Sequence, residues 1–280
     1  MTTTVLDVRK LRIAYGTGQA ETIALEDVTF AAADGEFISI VGPSGSGKTT
    51  LLRCLSGLLT PTAGEVRLHG QRIGEVPPDL ALVFQEYSRS LFPWLTVGDN
   101  VAMPLRRLGL PAAERDERIR SSLQEVGLGD ALRRYPWQLS GGMQQRVAIA
   151  RALAYKPAIF LMDEPFASVD AQTRADLQDT LLEVWQRHGS TVLFVTHDID
   201  ESVYLADRVV VLSRAPARVV AEIGIDLPRP RDQIATRELP RFVELRAEVA
   251  RLIRRPQEQS SEATAAAEWT EPLSSGDGRR

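Results

Sequence analysis

The stretch "GPSGSGKTT" at residues 42–50 constrains the fold of this chain more than any other part of it. It satisfies G-x-x-x-x-G-K-[ST] through Gly42, Gly47, Lys48 and Thr49, with Pro43, Ser44, Gly45 and Ser46 between them and Thr50 after. The flanks matter as much as the motif. "EFISIV" before it is short, apolar and β-branched, as a strand buried on both faces would be. "KTTLLRCLSGLL" after it has helical texture, which Pro61 and Gly64 are expected to stop. A glycine-rich turn between a buried strand and a helix lets backbone N–H groups converge on phosphate oxygens, and the helix start adds positive potential. Lys48 is therefore predicted to reach the β- and γ-phosphates of a nucleotide, and the Thr49 hydroxyl to ligate Mg²⁺. Lysine occurs only at positions 10, 48 and 156 among 33 basic residues, so Lys48 stands out.

The rest of the chain fits an α/β architecture. Residues 4–41 alternate apolar and polar in short runs joined by turns such as "ADGE", a β-rich opening. "AIFLMDEP" (158–165), "TVLFVTH" (191–197) and "RVVVLS" (208–213) are further buried-strand candidates, with the helical "RADLQDTLLEVWQRHG" between the first two. Strands alternating with helices predict a P-loop NTPase core with a mainly parallel sheet. An antiparallel β-subdomain and a helical subdomain inserted at about 88–157 complete the expected fold, the core being 1–87 and 158–225. A helix is expected at about 239–255, with Phe242, Leu245, Val249 and Leu252 on one stripe, and a polar, disordered tail at 256–280.

"AIFLMDEP" adds chemistry. An apolar strand delivers Asp163 and Glu164 at its carboxyl end, where parallel sheets bind ligands. Asp163 is expected to hold Mg²⁺ and Glu164 to polarise a water for attack on a phosphate. A net charge of −4 gives no reason to expect nucleic acid as a partner. A single cysteine, Cys54, fits a reducing compartment and reads as a small buried helix residue. No secretory leader and no apolar run of about 18 residues is seen, so service to a membrane would go through partners.

"LSGGMQQR" (139–146) lies between the two motifs and opens what reads as a second helix start suited to phosphate. With all three in this order, residues 5–215 resemble the ATP-binding cassette (ABC) ATPases. The resemblance implies ATP and Mg²⁺ as ligands, and it extends to smaller landmarks. Tyr15 in "RIAYG" matches the aromatic that stacks on adenine. Gln85 in "LVFQE" matches the glutamine that senses Mg²⁺ and the γ-phosphate, and His197 in "FVTHD" the histidine at the γ-phosphate. Asp170 matches the end of a loop that crosses a dimer interface, although "ASVD" puts Ser168 and Val169 where the family more often has Ala-Leu. Family members pair head to tail, which implies that Ser140, Gly141 and Gly142 bind ATP held by a second copy of the chain.

The resemblance further implies integral-membrane permease subunits as partners, a solute-binding protein acting indirectly, and a place on the cytoplasmic face of the bacterial plasma membrane. "SLFPWLTVGDNV" (90–101) reads either as a groove wall for a permease helix or as a packed turn. That run, with "LPRPRD" (227–232), looks like the nitrate/sulfonate/taurine importer branch; "LPRPRD" reads equally as a proline-stiffened linker. Two other classes fare worse. Repair ATPases of this type place a long coiled coil between phosphate loop and signature, translation-type members carry two cassettes, and a metabolic kinase has no use for "LSGGMQQR".

Overall fold

The computed structural model describes residues 3–16, 18–85 and 90–254; the expected tail at 256–280 lies outside them. Two sheets organise the chain. The first is antiparallel: β1 (Thr4–Tyr15), β2 (Thr22–Ala33), β4 (Ala63–Leu68) and β5 (Gln71–Arg72), in the order β2-β1-β4-β5. The second has six strands in the order β10-β9-β3-β8-β7-β6, being β3 (Phe37–Val41), β6 (Leu80–Val83), β7 (Ile159–Asp163), β8 (Thr191–Val195), β9 (Arg208–Leu212) and β10 (Val219–Gly224). All pairings in it are parallel except β9–β10.

Strands β3, β7 and β8 are buried at every position, which explains their mostly apolar sequences. Their residues still sort by face, because side chains alternate along a strand. Ile38, Ile40, Leu161, Leu193 and Val195 join the core beneath the antiparallel sheet, with Leu51, Leu52 and Leu55 of α1 (Lys48–Leu55). Phe37, Val41, Phe160, Met162, Val192 and Phe194 face the opposite core, which is built with helices. These helices are α2 (Val97–Ala102), α3 (Ala112–Glu125), α4 (Gly141–Tyr155), α5 (Ala171–His188), α6 (Ile199–Leu205), α7 (Ala235–Glu238) and α8 (Pro240–Arg254). On α8, Phe242, Leu245 and Val249 are buried and Leu252 packs at the margin, so the predicted stripe is the face that docks on α6. Cys54 is buried, and that burial pushes its thiol up to about 12, so it is inert packing.

Two expected boundaries shift. Helix α1 ends at Leu55, not at Pro61, because Gly57 takes a left-handed backbone with φ of 74°. Within the expected helical subdomain, "VGDNVAMPLRRLG" is not one helix but α2 followed by a separate tight turn from Pro104, whose ring cannot continue the first helix. Strand β10 and helix α6 lie where the sequence pattern offers no clear periodicity. No helix among the described residues is long and apolar enough to cross a membrane.

Residues 90–101 form a packed turn with an aromatic tip. Asn100 is fully buried and accepts from Phe92 N–H at 2.8 Å while donating to the carbonyls of Phe92, Leu95 and Thr96. Trp94, against Phe92, remains 71% exposed. Asn100→Ala strands several buried backbone groups at once and is expected to cost about 2 kcal/mol. For a chain of this size that lowers the melting temperature by roughly 4–8 °C. Calorimetry checks it, and an unchanged melting temperature would show that the turn holds without Asn100.

Candidate functional site

The strand order places β3, β8 and β7 side by side, so the loops leaving their carboxyl ends meet. The phosphate-loop sequence leaves β3, His197 follows β8, and Glu164 follows β7. They enclose a cleft of about 560 Å³ lined by Ala24, Ser44 to Thr50, Glu164 and His197. Every residue of that lining except Ala24 is a site residue expected from the sequence.

Local geometry explains the glycines. Gly47 caps α1 with φ of 80°, and a Cβ there would lie 2.9 Å from Leu25. A Cβ on Gly42 would lie 2.9 Å from Ser46 Oγ and 3.0 Å from the Leu212 carbonyl, so only glycine lets strand, loop and helix approach this closely. Lys48 is 7% exposed and folds back over the loop, donating to the carbonyls of Gly42 at 3.0 Å and Pro43 at 3.2 Å. Burial pulls its ammonium below the usual lysine range, while Glu164 and Asp163 oppose that shift. Ser46 Oγ, also in the lining, is buried without a hydrogen-bond partner among the described residues, as a group fitted to a phosphate oxygen would be.

Asp163 ends β7, nearly buried. Burial raises its carboxyl above the ordinary range; the neighbouring Thr49 hydroxyl and the Lys48 ammonium favour the charged form, and Glu164 disfavours it. Glu164 has a left-handed backbone with φ of 43°, a conformation that costs a non-glycine residue about 1–2 kcal/mol. Its N–H donates to the Val195 carbonyl at 2.9 Å, which ties the strained residue to β8. The Glu164 carboxylate thereby reaches His197, with Oε2 at 2.8 Å from Nδ1. The same oxygen accepts from Gln85 Nε2 at 3.4 Å. Tyr15 stands at the end of β1, 44% exposed, with its hydroxyl 3.3 Å from that of Thr50. An open ring beside the phosphate loop suits stacking on a base.

The signature stands apart. Ser140, Gly141, Gly142 and Asp170 are all absent from the lining of the cleft. Ser140 caps α4, its Oγ accepting from Met143 N–H at 3.4 Å, and Gly141 is exposed beside it. Asp170 caps α5 through Thr173 N–H at 3.0 Å. The two caps adjoin, for a Cβ on Gly142 would sit 2.4 Å from Thr173 Cγ2. In the departing "ASVD", Val169 is 8% exposed and its carbonyl accepts from Arg174 at 3.2 Å, so the loop is held despite the replacement. Sequence reasoning missed a set of polar residues behind His197: Thr196, Glu201 and Gln178, all buried. Glu201 lies in the first turn of α6, where an acidic residue reads as ordinary helix capping, so no sequence signal singles it out.

Known proteins agree with this geometry. The ABC transporter family matches residues 25–167. A nitrate import ATP-binding protein of Synechococcus elongatus is 45% identical over 237 residues, 84% of this chain and 86% of that one. A bicarbonate transport ATP-binding protein of Synechocystis sp. is 44% identical over 236 residues, 83% of this chain but 35% of that longer one. Among solved structures, a dimeric ATP-binding cassette bound to ADP and Pi has a TM-score of 0.69 at 34% identity, covering 79% of this chain and 98% of that one. Motifs, sheet order and relatives converge: the chain is an ATPase that belongs to the ABC transporter family.

Proposed function

We propose that the chain is the ATP-hydrolysing subunit of an importer for a small oxyanion, working as a head-to-tail homodimer at the cytoplasmic face of the plasma membrane. The names of the nitrate and bicarbonate relatives support the importer class and a solute of that kind. The observation that carries the dimer is that the exposed signature start does not line the cleft of its own chain, in a chain similar to cassettes solved as dimers. Ser140 and Gly141 are exposed at a helix start fit for a phosphate, with Gly142 buried behind them and Asp170 beside it, and the ligand they suit is one presented by a second copy.

Within one cleft the residues divide the work. The loop amides and Lys48 hold the β- and γ-phosphates, and Tyr15 holds the base. The donors near Asp163 fit Mg²⁺, since one carboxylate and the Thr49 hydroxyl, with substrate phosphates, form the oxygen set this ion prefers; Gln85 lies close by, against Glu164. Bound there, Mg²⁺ would neutralise charge on the terminal phosphates. Glu164 orients the attacking water and takes its proton as the bond between the β–γ bridging oxygen and the γ-phosphorus breaks. His197 holds the Glu164 carboxylate in place and faces the γ-phosphate.

A groove beside β6 and α4, lined by Leu82, Met103, Pro104, Ala148, Arg151 and Tyr155, suits a short permease helix, with the exposed Trp94 nearby in sequence. Mixing subunits tests the shared site. Lys48→Ala spoils one half of each composite site and Ser140→Arg the other. A mixed dimer therefore retains one site free of both changes, and the mixture is expected to recover partial phosphate release that neither variant shows alone. A mixture as inactive as its parts argues against sharing. For the solute, loss of nitrate or bicarbonate uptake in cells lacking the chain supports this reading, and loss of sulfonate or taurine uptake alone redirects it.

A further inference from the structure

The "LPRPRD" segment and the helix after it form a clasp. Arg231 donates to the carbonyls of Val203, Tyr204 and Ala206, capping the carboxyl end of α6. Arg229 donates to the Leu205 carbonyl and to Asp207, and its guanidinium lies 4.3 Å over the Trp185 ring of α5. Gln233 donates to the Ala175 carbonyl at 3.1 Å and to Asp179 at 2.8 Å, both on α5. Asp179 also accepts from the Tyr204 hydroxyl of α6 at 2.7 Å, and Arg237 stacks on that tyrosine. One short segment thus grips the two helices that follow the Asp170 loop and the His197 turn.

The grip continues inward through a directed chain of hydrogen bonds. Gln233 and Arg237 both donate to Gln178 Oε1, at 3.3 and 3.1 Å. With its oxygen so occupied, the Gln178 amide must turn its NH₂ to the buried Glu201, which accepts at 3.0 Å. The other Glu201 oxygen accepts from the Thr196 hydroxyl. Thr196 directly precedes His197, and its Oγ1 also receives the N–H of Asp198 at 3.0 Å, so both neighbours of His197 are held. Burial raises the Glu201 carboxyl above its ordinary range, and the donors from Thr196 and Gln178 offset this. Were the Gln178 amide free to flip, its oxygen would face a carboxylate and the link to Thr196 would loosen. Arg174 adds a second tie, bonding the Val169 carbonyl and pairing with Asp198 at 3.6 Å.

We propose that Gln233 and Arg237 are positioning residues for the ATPase site. By fixing the Gln178 amide they hold Glu201, and through Glu201 and Thr196 the turn that sets His197 against Glu164. The inference rests on the ATPase reading of the cleft. Both residues are half-exposed, and neither lines the cleft. Their loss therefore acts on turnover rather than on ATP affinity.

Steady-state phosphate release by the purified full chain tests this. Gln233→Ala/Arg237→Ala is expected to lower kcat on the order of tenfold, with KM for ATP within about twofold of wild type. Arg237→Lys, which keeps a donor for Gln178, should retain most of the turnover that Arg237→Ala loses. Arg241→Ala, which breaks only the exposed pairs with Asp226 and Glu244, should match wild type. Melting curves identify any folding loss, and the single variant Arg237→Ala keeps the test open if the double variant melts early. Unchanged kcat in the double variant, or a loss seen only in KM, overturns the clasp alone. A wild-type chain with no ATP turnover overturns the ATPase reading itself.

Discussion

Lys48→Ala is expected to abolish ATP turnover, with phosphate release falling at least about a thousandfold. Two effects combine. The ammonium is the only lysine charge in the cleft lining, and charge developing on the transferred phosphoryl group has no equivalent partner there. Lys48 also donates to the carbonyls of Gly42 and Pro43, so its removal frees the loop proposed to cradle the phosphates. Loss of ATP binding and loss of turnover should therefore appear together. Nucleotide-binding fluorescence and phosphate release check this on the same sample. Hydrolysis near the wild-type rate would remove the cleft from the mechanism.

Glu164→Gln separates binding from chemistry. The amide keeps the shape of the side chain and can still accept through one oxygen, so the strained backbone and the contact with His197 need not change. What is lost is the proposed base for the attacking water, an effect of roughly 10²–10⁴ in rate. The variant is expected to bind ATP as wild type does and to release almost no phosphate in single-turnover measurements. Retained hydrolysis would move the base to another residue, with His197 the first to test.

The site was legible in the sequence wherever its parts are local. Strand, glycine turn and helix are contiguous around residues 36–55, so the pattern that binds phosphate is also the pattern that folds. The same holds for β7 with Asp163 and Glu164, and for β8 with His197. Convergence of the three loops follows from the strand order, which the sequence pattern does not give; only the rule that ligands bind at the carboxyl ends of parallel strands pointed toward it. The Glu201 network was not legible, because Gln178, Thr196, Glu201 and Gln233 come from four segments and each alone looks like an ordinary helix or loop polar residue. "LPRPRD" could be noticed but not interpreted: its arginines act on the carbonyls of α6, and a sequence does not say which carbonyls a distant arginine will find. Helix α1 was read as too long for a simpler reason, since Gly57 looked like any glycine until its left-handed backbone was seen.

The central claim is that Ser140, Gly141 and Gly142 complete a site on another copy of the chain. Light scattering on the Glu164→Gln protein, with and without Mg²⁺ and ATP, tests it most directly. A mass of one chain without nucleotide and two chains with ATP, the latter returning to one when Ser140→Arg is added, is the expected result. A single-chain mass with ATP bound would contradict the shared site.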